Sequence, residues 1–142
     1  MNKPQSFHSP LFLKLTGRFK LMNLYKLLAE REEIGKPVRV GLIGAGKFGA
    51  MFLSQARRTP GIHVLGIADI NRSRAVETCA NTGWTLEEVG ADSFTEALET
   101  RTTHLTEDAE TLIRADGLEV VIDATGNPAA GIRHCLMSIK QG

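Results

Sequence analysis

The feature that most constrains the fold of this chain is a glycine-rich segment between an apolar run and a stretch of helical periodicity. Residues 38–49 read VRVGLIGAGKFG, and apolar side chains continue at helical spacing towards Arg58. The run from Val38 to Ile43 has the branched, apolar composition of a strand that is buried on both faces. The spacing G-x-G-x-x-G is a weak signal alone, and it gains meaning when a strand precedes it and a helix follows. We therefore predict a strand, a tight turn and a helix over residues 38–58.

The three glycines have separate steric roles in such a turn. Gly44 permits the sharp turn off the strand, Gly46 lacks the Cβ that would block a pyrophosphate, and Gly49 lets the helix lie close to the sheet. The first N–H groups of the helix offer hydrogen bonds and partial positive charge to phosphates. The predicted cofactor-binding turn consists of Gly44, Ala45, Gly46, Lys47, Phe48 and Gly49. The alternative is a strand-to-helix turn that binds no ligand.

Strand and helix patterns alternate along the rest of the chain. Further strands are predicted at Ile62 to Ala68, Thr103 to Leu105 and Leu118 to Ala124. Helices are predicted to follow a cap at Asn71 or Ser73, a capping box at Ser93 and Glu96, a cap at Thr106, and the Asn127-Pro128 pair. Such alternation gives an α/β fold with right-handed crossovers. With the glycine turn, it indicates a doubly wound parallel sheet of the Rossmann type over residues 38–142, with a strand order that begins 3-2-1-4.

The end of the second predicted strand carries an acidic residue followed by arginines. Asp69 lies 20 residues after Gly49, where a carboxylate accepts hydrogen bonds from the adenosine ribose. That carboxylate favours NAD by repelling a 2′-phosphate. Arg72 and Arg74 lie just beyond and would hold such a phosphate, so the sequence leaves NAD and NADP open. The alternatives are that Asp69 only caps a turn and that the arginines are only solvated.

A small turn follows the fourth predicted strand. It reads Ala124-Thr125-Gly126-Asn127-Pro128. In a doubly wound sheet this position borders the cofactor crevice, and small residues leave space for the pyrophosphate and the nicotinamide ribose. We predict that Ala124, Thr125 and Gly126 belong to the cofactor site. The alternative is a loop that is shaped only by helix capping.

Composition excludes several classes of function. The formal net charge of +1 gives no global field for nucleic acid or an acidic membrane. No apolar run approaches the roughly 20 residues of a membrane span, and two cysteines outside any metal-ligand spacing are typical of a reducing compartment. We therefore expect a cytoplasmic protein without bound metal. Residues 1–21 are predicted to be a disordered basic extension, and residues 22–35 an amphipathic helix.

No catalytic group is predicted in this sequence. His134 and Cys135 are adjacent on a predicted helix and therefore point to different faces. His63 and His104 lie in predicted strands, where a structural role is expected. No pair of carboxylates has an arrangement typical of general acid catalysis.

Several segments resemble one bacterial family of oxidoreductases. They are Met22 to Arg31 with the adjoining VRVGLIGAGKFGAMF, the TGW of residues 82–84, THLTEDAE and DATGNPAAGIRH. The chain from Met22 to Gly142 resembles the homoserine dehydrogenase-like, NAD(P)-dependent oxidoreductases with a C-terminal SAF domain, also described as the 1-deoxy-D-xylulose 5-phosphate reductoisomerase-like family. The resemblance implies an NAD(P)-binding domain, followed by a catalytic domain and then by the SAF domain. It also implies that the isoprenoid-linked member of the family uses NADPH.

The resemblance also implies that residues 38–142 are an incomplete Rossmann domain, lacking the fifth strand and everything after it. We therefore expect a fragment that binds a nicotinamide dinucleotide without turnover and that self-associates through its fourth strand. One rival interpretation is a regulatory module that senses NAD(H) without catalysis. Another is an S-adenosylmethionine-dependent methyltransferase, although the glycine spacing opening directly into a helix counts against it.

Overall fold

The computed structural model describes residues 23–142. The predictions of a disordered arm over residues 1–21 and of a helical start at Met22 lie outside the described residues. The strands are β1 Val38–Ile43, β2 Ile62–Ala68, β3 His104–Thr106 and β4 Val120–Asp123. The helices are α1 Leu24–Glu33, α2 Lys47–Ala56, α3 Arg72–Asn81, α4 Phe94–Thr100, α5 Ala109–Ile113 and α6 Pro128–Gln141.

The four strands form one parallel sheet in the order β3-β2-β1-β4. This confirms the predicted α/β class and the predicted order of these strands. At the carboxyl end of the sheet Ile43 lies between Ala68 of β2 and Asp123 of β4. The chain adds β2 and β3 on one side of β1 and then crosses to add β4 on the other. That reversal places a topological switch point between β1 and β4, where parallel sheets open a crevice.

Helices cover both faces of the sheet. On one face Leu53 of α2 and Cys79 of α3 pack with Leu42 and Ile67 of the central strands. On the opposite face Leu112 and Ile113 of α5 pack against Ile43 and Ala68, with Met137 of α6 at the margin. The side chains of neighbouring residues in a strand point to opposite faces, which is why Leu42 and Ile43 belong to different clusters. Both central strands are therefore buried on both sides, as their apolar composition predicts.

The structure corrects the boundaries of several predicted elements. Thr106 does not cap α5; it pairs with Ala68 as the last residue of β3, and its hydroxyl accepts a hydrogen bond from the N–H of Asp108. Asp108 is the actual N-cap, because its carboxylate accepts from the N–H of Glu110 at 2.8 Å. The fourth strand covers only Val120–Asp123, since its pairing with β1 does not extend over the whole of the predicted range from Leu118 to Ala124.

Ion pairs attach α1 to the amino-terminal end of the sheet. Glu119 accepts hydrogen bonds from Arg31 of α1 and from Arg39 of β1, at 2.9 and 3.3 Å. Glu32 accepts from the N–H of Gly61 and from Arg101. Within residues 23–142, none of the helices is long and apolar enough to span a membrane.

Candidate functional site

A crevice of about 620 Å³ lies at the carboxyl ends of the strands. Its floor includes Ile43 and Gly44 at the end of β1 and Ala68 and Asp69 at the end of β2. Its walls are formed by residues before and within α5 and by one side of α6. This is the switch point that the strand order creates. The crevice brings together the ends of β1, β2 and β4, which lie far apart in the sequence.

Two of the three motif glycines are required by close backbone packing. Gly44 has a positive φ of 96°, and a Cβ there would lie 2.8 Å from the carbonyl carbon of Ala124. A Cβ on Gly49 would overlap the carbonyl oxygen of Gly44. These two glycines therefore allow α2 and the β4 turn to approach the end of β1. Both findings match the steric roles inferred from the motif.

Gly46 is different, because its packing leaves space. A Cβ built on Gly46 would meet no atom of the protein within 4 Å, and its φ of −76° is accessible to any residue. Gly46 is also the N-cap of α2 and provides no side-chain acceptor for the first turn of that helix. The fold does not need glycine here. The open space beside uncapped helix N–H groups is what a bound phosphate would require.

The remaining residues of the motif take different positions. Ala45 is buried, and its N–H donates a hydrogen bond of 2.7 Å to Oδ2 of Asp69. Lys47 and Phe48 are exposed at the start of α2, and Phe48 leaves 73% of its surface accessible. Neither of these two side chains lines the crevice. Any contribution of theirs to a ligand would therefore come from the backbone N–H groups of the first turn.

Asp69 is a buried carboxylate that holds the crevice together. Its side chain is 1% exposed. Besides Ala45, the N–H of Asn71 donates to Oδ1 at 2.8 Å, and the Arg74 guanidinium donates to both oxygens. Burial raises the pKa of Asp69, but the hydrogen bonds from Ala45, Arg74 and Asn71 outweigh it and hold the pKa below its usual value. Asp69 is therefore an ionised side chain whose hydrogen bonds connect the glycine turn to the end of β2.

The two arginines after Asp69 point in different directions. Arg72 donates a hydrogen bond of 2.6 Å from Nη1 to the carbonyl oxygen of Leu105 in β3, away from the crevice. Arg74 lines the crevice, and its side chain is 49% exposed while it covers Asp69. A phosphate binding role for Arg72 stays a prediction. Arg74 is the arginine that the structure places where a ligand would meet it.

The turn after β4 closes the opposite side of the crevice. Ala124 and Thr125 line it, and Ala124 donates from its N–H to the carbonyl oxygen of Ile43 at 2.7 Å. Gly126 has a positive φ of 67°, and a Cβ there would meet no atom within 4 Å. Asn127 caps α6 by accepting from the N–H of Ala130 at 3.1 Å. Small residues and a helix cap therefore occur together at this turn, and its role in binding a cofactor stays a prediction.

An acid–histidine pair, whose histidine lines this crevice, was not predicted from the sequence. Nδ1 of His134 in α6 lies 2.6 Å from Oδ2 of Asp123, the last residue of β4. The other carboxylate oxygen of Asp123 accepts from the hydroxyl and the N–H of Thr125. A signal was present in the sequence, since Asp123 closes β4 as Asp69 closes β2. The pairing with His134 was not predicted, because it depends on how α6 packs over the end of β4.

No family model matches the chain, and no curated protein is similar enough to match it. Within residues 23–142, no group of three or more His, Cys, Asp or Glu side chains is arranged to hold a metal ion. The geometry of the crevice is therefore the basis for assigning a function.

Proposed function

We propose that this crevice binds a nicotinamide dinucleotide and that the chain is the cofactor-binding part of an oxidoreductase, which transfers a hydride to or from that cofactor. The observation that carries the proposal is the open space at Gly46, beside a turn in which Gly44 and Gly49 are both required by packing. A motif kept only for folding would need the two packed glycines and would tolerate a side chain at Gly46. A pyrophosphate at the N-terminus of α2 explains why that position has none.

We assign each part of the dinucleotide to a region of the crevice. The pyrophosphate lies over Gly46, because that is where helix N–H groups are uncapped. The adenosine extends towards Asp69, Ile70 and Arg74 at the end of β2, and the nicotinamide ribose towards the Thr125-Gly126 turn. When bound, the nicotinamide ring carries the hydride. The residues named here bind and orient it, and we assign none of them a catalytic role.

Arg74 favours NADP as the cofactor. In other dinucleotide sites a carboxylate at this position accepts hydrogen bonds from the ribose hydroxyls. Here the carboxylate of Asp69 is already paired with Arg74 and with backbone donors. The outward guanidinium of Arg74 would pair with a 2′-phosphate through hydrogen bonds that are stronger than those to neutral hydroxyls. NAD would use the same crevice without that contact.

Calorimetric titration of the chain with NADPH and NADH, with S-adenosylmethionine and ATP as competing ligands, tests the proposal. We expect NADPH to bind most tightly and the methyl donor not to bind. Gly46→Val is the matched control, because the valine side chain fits the folded protein but occupies the space that the bound pyrophosphate would need. Binding of S-adenosylmethionine with no binding of either dinucleotide would favour the methyltransferase alternative and refute the proposal.

Catalysis is tested separately from binding. Oxidation of NADPH in the presence of aldehydes and ketones, followed by its absorbance, reports hydride transfer. A protein that binds the dinucleotide but oxidises no NADPH with these substrates would instead fit the NAD(H)-sensing module.

A further inference from the structure

His134 is the one histidine among residues 23–142 that pairs with a carboxylate. His63 and His104 each bond to a backbone carbonyl oxygen, that of Thr102 and that of Ala91 respectively. His134 instead lies 2.6 Å from Oδ2 of Asp123, and its side chain is only 13% exposed. Asp123 links the Thr125 turn to α6, so it fixes the position of the imidazole relative to the crevice.

The pair determines which nitrogen of the imidazole is available to a ligand. A carboxylate only accepts hydrogen bonds, so the proton of this contact belongs to Nδ1. Burial raises the pKa of Asp123, but the hydrogen bonds from His134 and Thr125 outweigh it and leave the pKa below its usual value. Nε2 makes no hydrogen bond within the described part of the chain, although His134 lines the crevice. A proton gained by this ring is therefore gained at Nε2.

Charged groups of both signs surround the same crevice. Those that line it are Asp69, Arg74, Glu107, Asp108, Glu110 and Arg133. Asp69 is paired with Arg74, and the carboxylate of Asp108 is occupied as the cap of α5. Carboxylates and guanidinium groups ordinarily keep their charge between pH 5 and 8, whereas histidine is the side chain that ordinarily changes its charge in this range. Among the described residues that line the crevice, His134 is the one histidine.

We propose that His134 is a ligand-contact residue that donates from protonated Nε2 to an anionic group of the bound dinucleotide, with Asp123 as its positioning residue. The proton comes from solvent, so binding takes up a proton when the free imidazole is neutral. The carboxylate behind the ring stabilises the resulting positive charge, as it does for other histidines that a carboxylate orients. This inference rests on the proposed function, because it assigns one contact of the same cofactor.

Calorimetry with NAD⁺ between pH 5.5 and 8.5 tests this proposal. NAD⁺ is the appropriate probe because its pyrophosphate keeps its charge over this range, whereas a phosphate monoester such as the one on NADP titrates near pH 6. We expect the affinity to be about tenfold higher at pH 5.5 than at pH 8.5, which is the change produced when binding raises the pKa of one titrating group by one unit. Titrations in two buffers with different ionisation enthalpies should show proton uptake on binding.

Variants identify the group responsible. His134→Gln keeps an N–H near the position of Nε2 but does not titrate, so its affinity should be independent of pH. Asp123→Asn should reduce the pH dependence, because a neutral amide stabilises the imidazolium less. His104→Gln is the control, since His104 lies outside the crevice, and it should behave like the parent chain.

The outcomes separate this inference from the proposed function. An unchanged pH dependence in His134→Gln, or binding by the parent chain without proton uptake, would refute the role of His134 and leave dinucleotide binding intact. Failure of the parent chain to bind either dinucleotide at any pH would refute both proposals. The measurement of proton uptake uses the parent chain alone, so the absence of uptake would refute the role of His134 even if a variant does not fold.

Discussion

The backbone N–H of Ala45 donates a hydrogen bond of 2.7 Å to Oδ2 of Asp69, which ties the glycine turn to the end of the neighbouring strand. The two residues are 24 positions apart in the chain. Because the carboxylate also binds Arg74 and the N–H of Asn71, one buried side chain organises the floor of the crevice. The stability of the fold and the shape of the candidate site are therefore linked through Asp69.

Asp69→Asn should destabilise the chain at neutral pH by about 1.5–3 kcal/mol, the range for hydrogen bonds to a charged group. The folded state holds the pKa of Asp69 below its usual value, so its stabilising effect is complete above the ordinary aspartate pKa of about 3.9 and is lost as the pH falls through the lower, folded value. The difference in free energy of unfolding between parent and variant should thus be constant from pH 6 to 8 and shrink below about pH 4. Urea unfolding at each pH measures it, and Asp116→Asn at an exposed site serves as the control. A difference that stays constant down to pH 2.5 would show that the charge of Asp69 is not what stabilises the turn.

Gly46→Val and Gly49→Ala should have opposite effects on folding and binding. Valine at position 46 enters open space, so the fold should persist while dinucleotide affinity falls more than about tenfold, a loss of roughly 1.4 kcal/mol or more. Alanine at position 49 overlaps the carbonyl oxygen of Gly44 and should cost about 1–3 kcal/mol of stability. Thermal unfolding and calorimetric titration of both variants measure these effects. Equal affinity of Gly46→Val and the parent chain would mean that no ligand approaches Gly46.

Arg74→Ala should lower the preference for NADP over NAD, and Arg72→Ala should not. The reason is the direction of each guanidinium, since Arg74 lines the crevice and Arg72 donates to Leu105 of β3. Removal of Arg74 should reduce NADPH binding by about 1–3 kcal/mol relative to NADH. The ratio of the two dissociation constants in each variant is the measurement. A change of that ratio in Arg72→Ala alone would restore the role predicted for Arg72 from the sequence.

The outer face of α6 should mediate self-association of this 142-residue chain. Ile132, Leu136 and Ile139 follow one another at helical spacing and are 63%, 55% and 70% exposed, while Val120 of β4 is 42% exposed at the edge of the sheet. A regular, apolar edge beside an apolar helix face favours pairing with another chain. Light scattering over a range of concentrations should show a mass that increases with concentration in the parent chain and less so in Leu136→Glu. Leu86→Glu, at a leucine 75% exposed elsewhere, is the matched control. A parent chain that stays monomeric at all concentrations would contradict the expectation.

The sequence by itself determined the order of the elements and most of the local chemistry of their ends. Asn71, Ser93 and Asn127 each accept a hydrogen bond from the first turn of the helix that follows, as their residue types and spacing predict. The buried composition of β1 and β2 and the glycine turn between β1 and α2 were also visible, because they depend on residues that are close in the chain. The α/β class and the parallel strand order follow from that alternation.

Only the tertiary structure decided which side chains meet in the crevice. Arg72 and Arg74 are two positions apart on one helix, so their side chains point roughly 200° apart, and the packing of α3 on the sheet determines which of them faces Asp69. The contact between Asp123 and His134 likewise depends on how α6 lies over the end of β4. The N-cap of α5 was likewise decided by tertiary structure, because the pairing of Thr106 with Ala68 keeps Thr106 in β3 and leaves Asp108 as the cap. Local patterns do not determine these relations, since each depends on the orientation of one packed element against another.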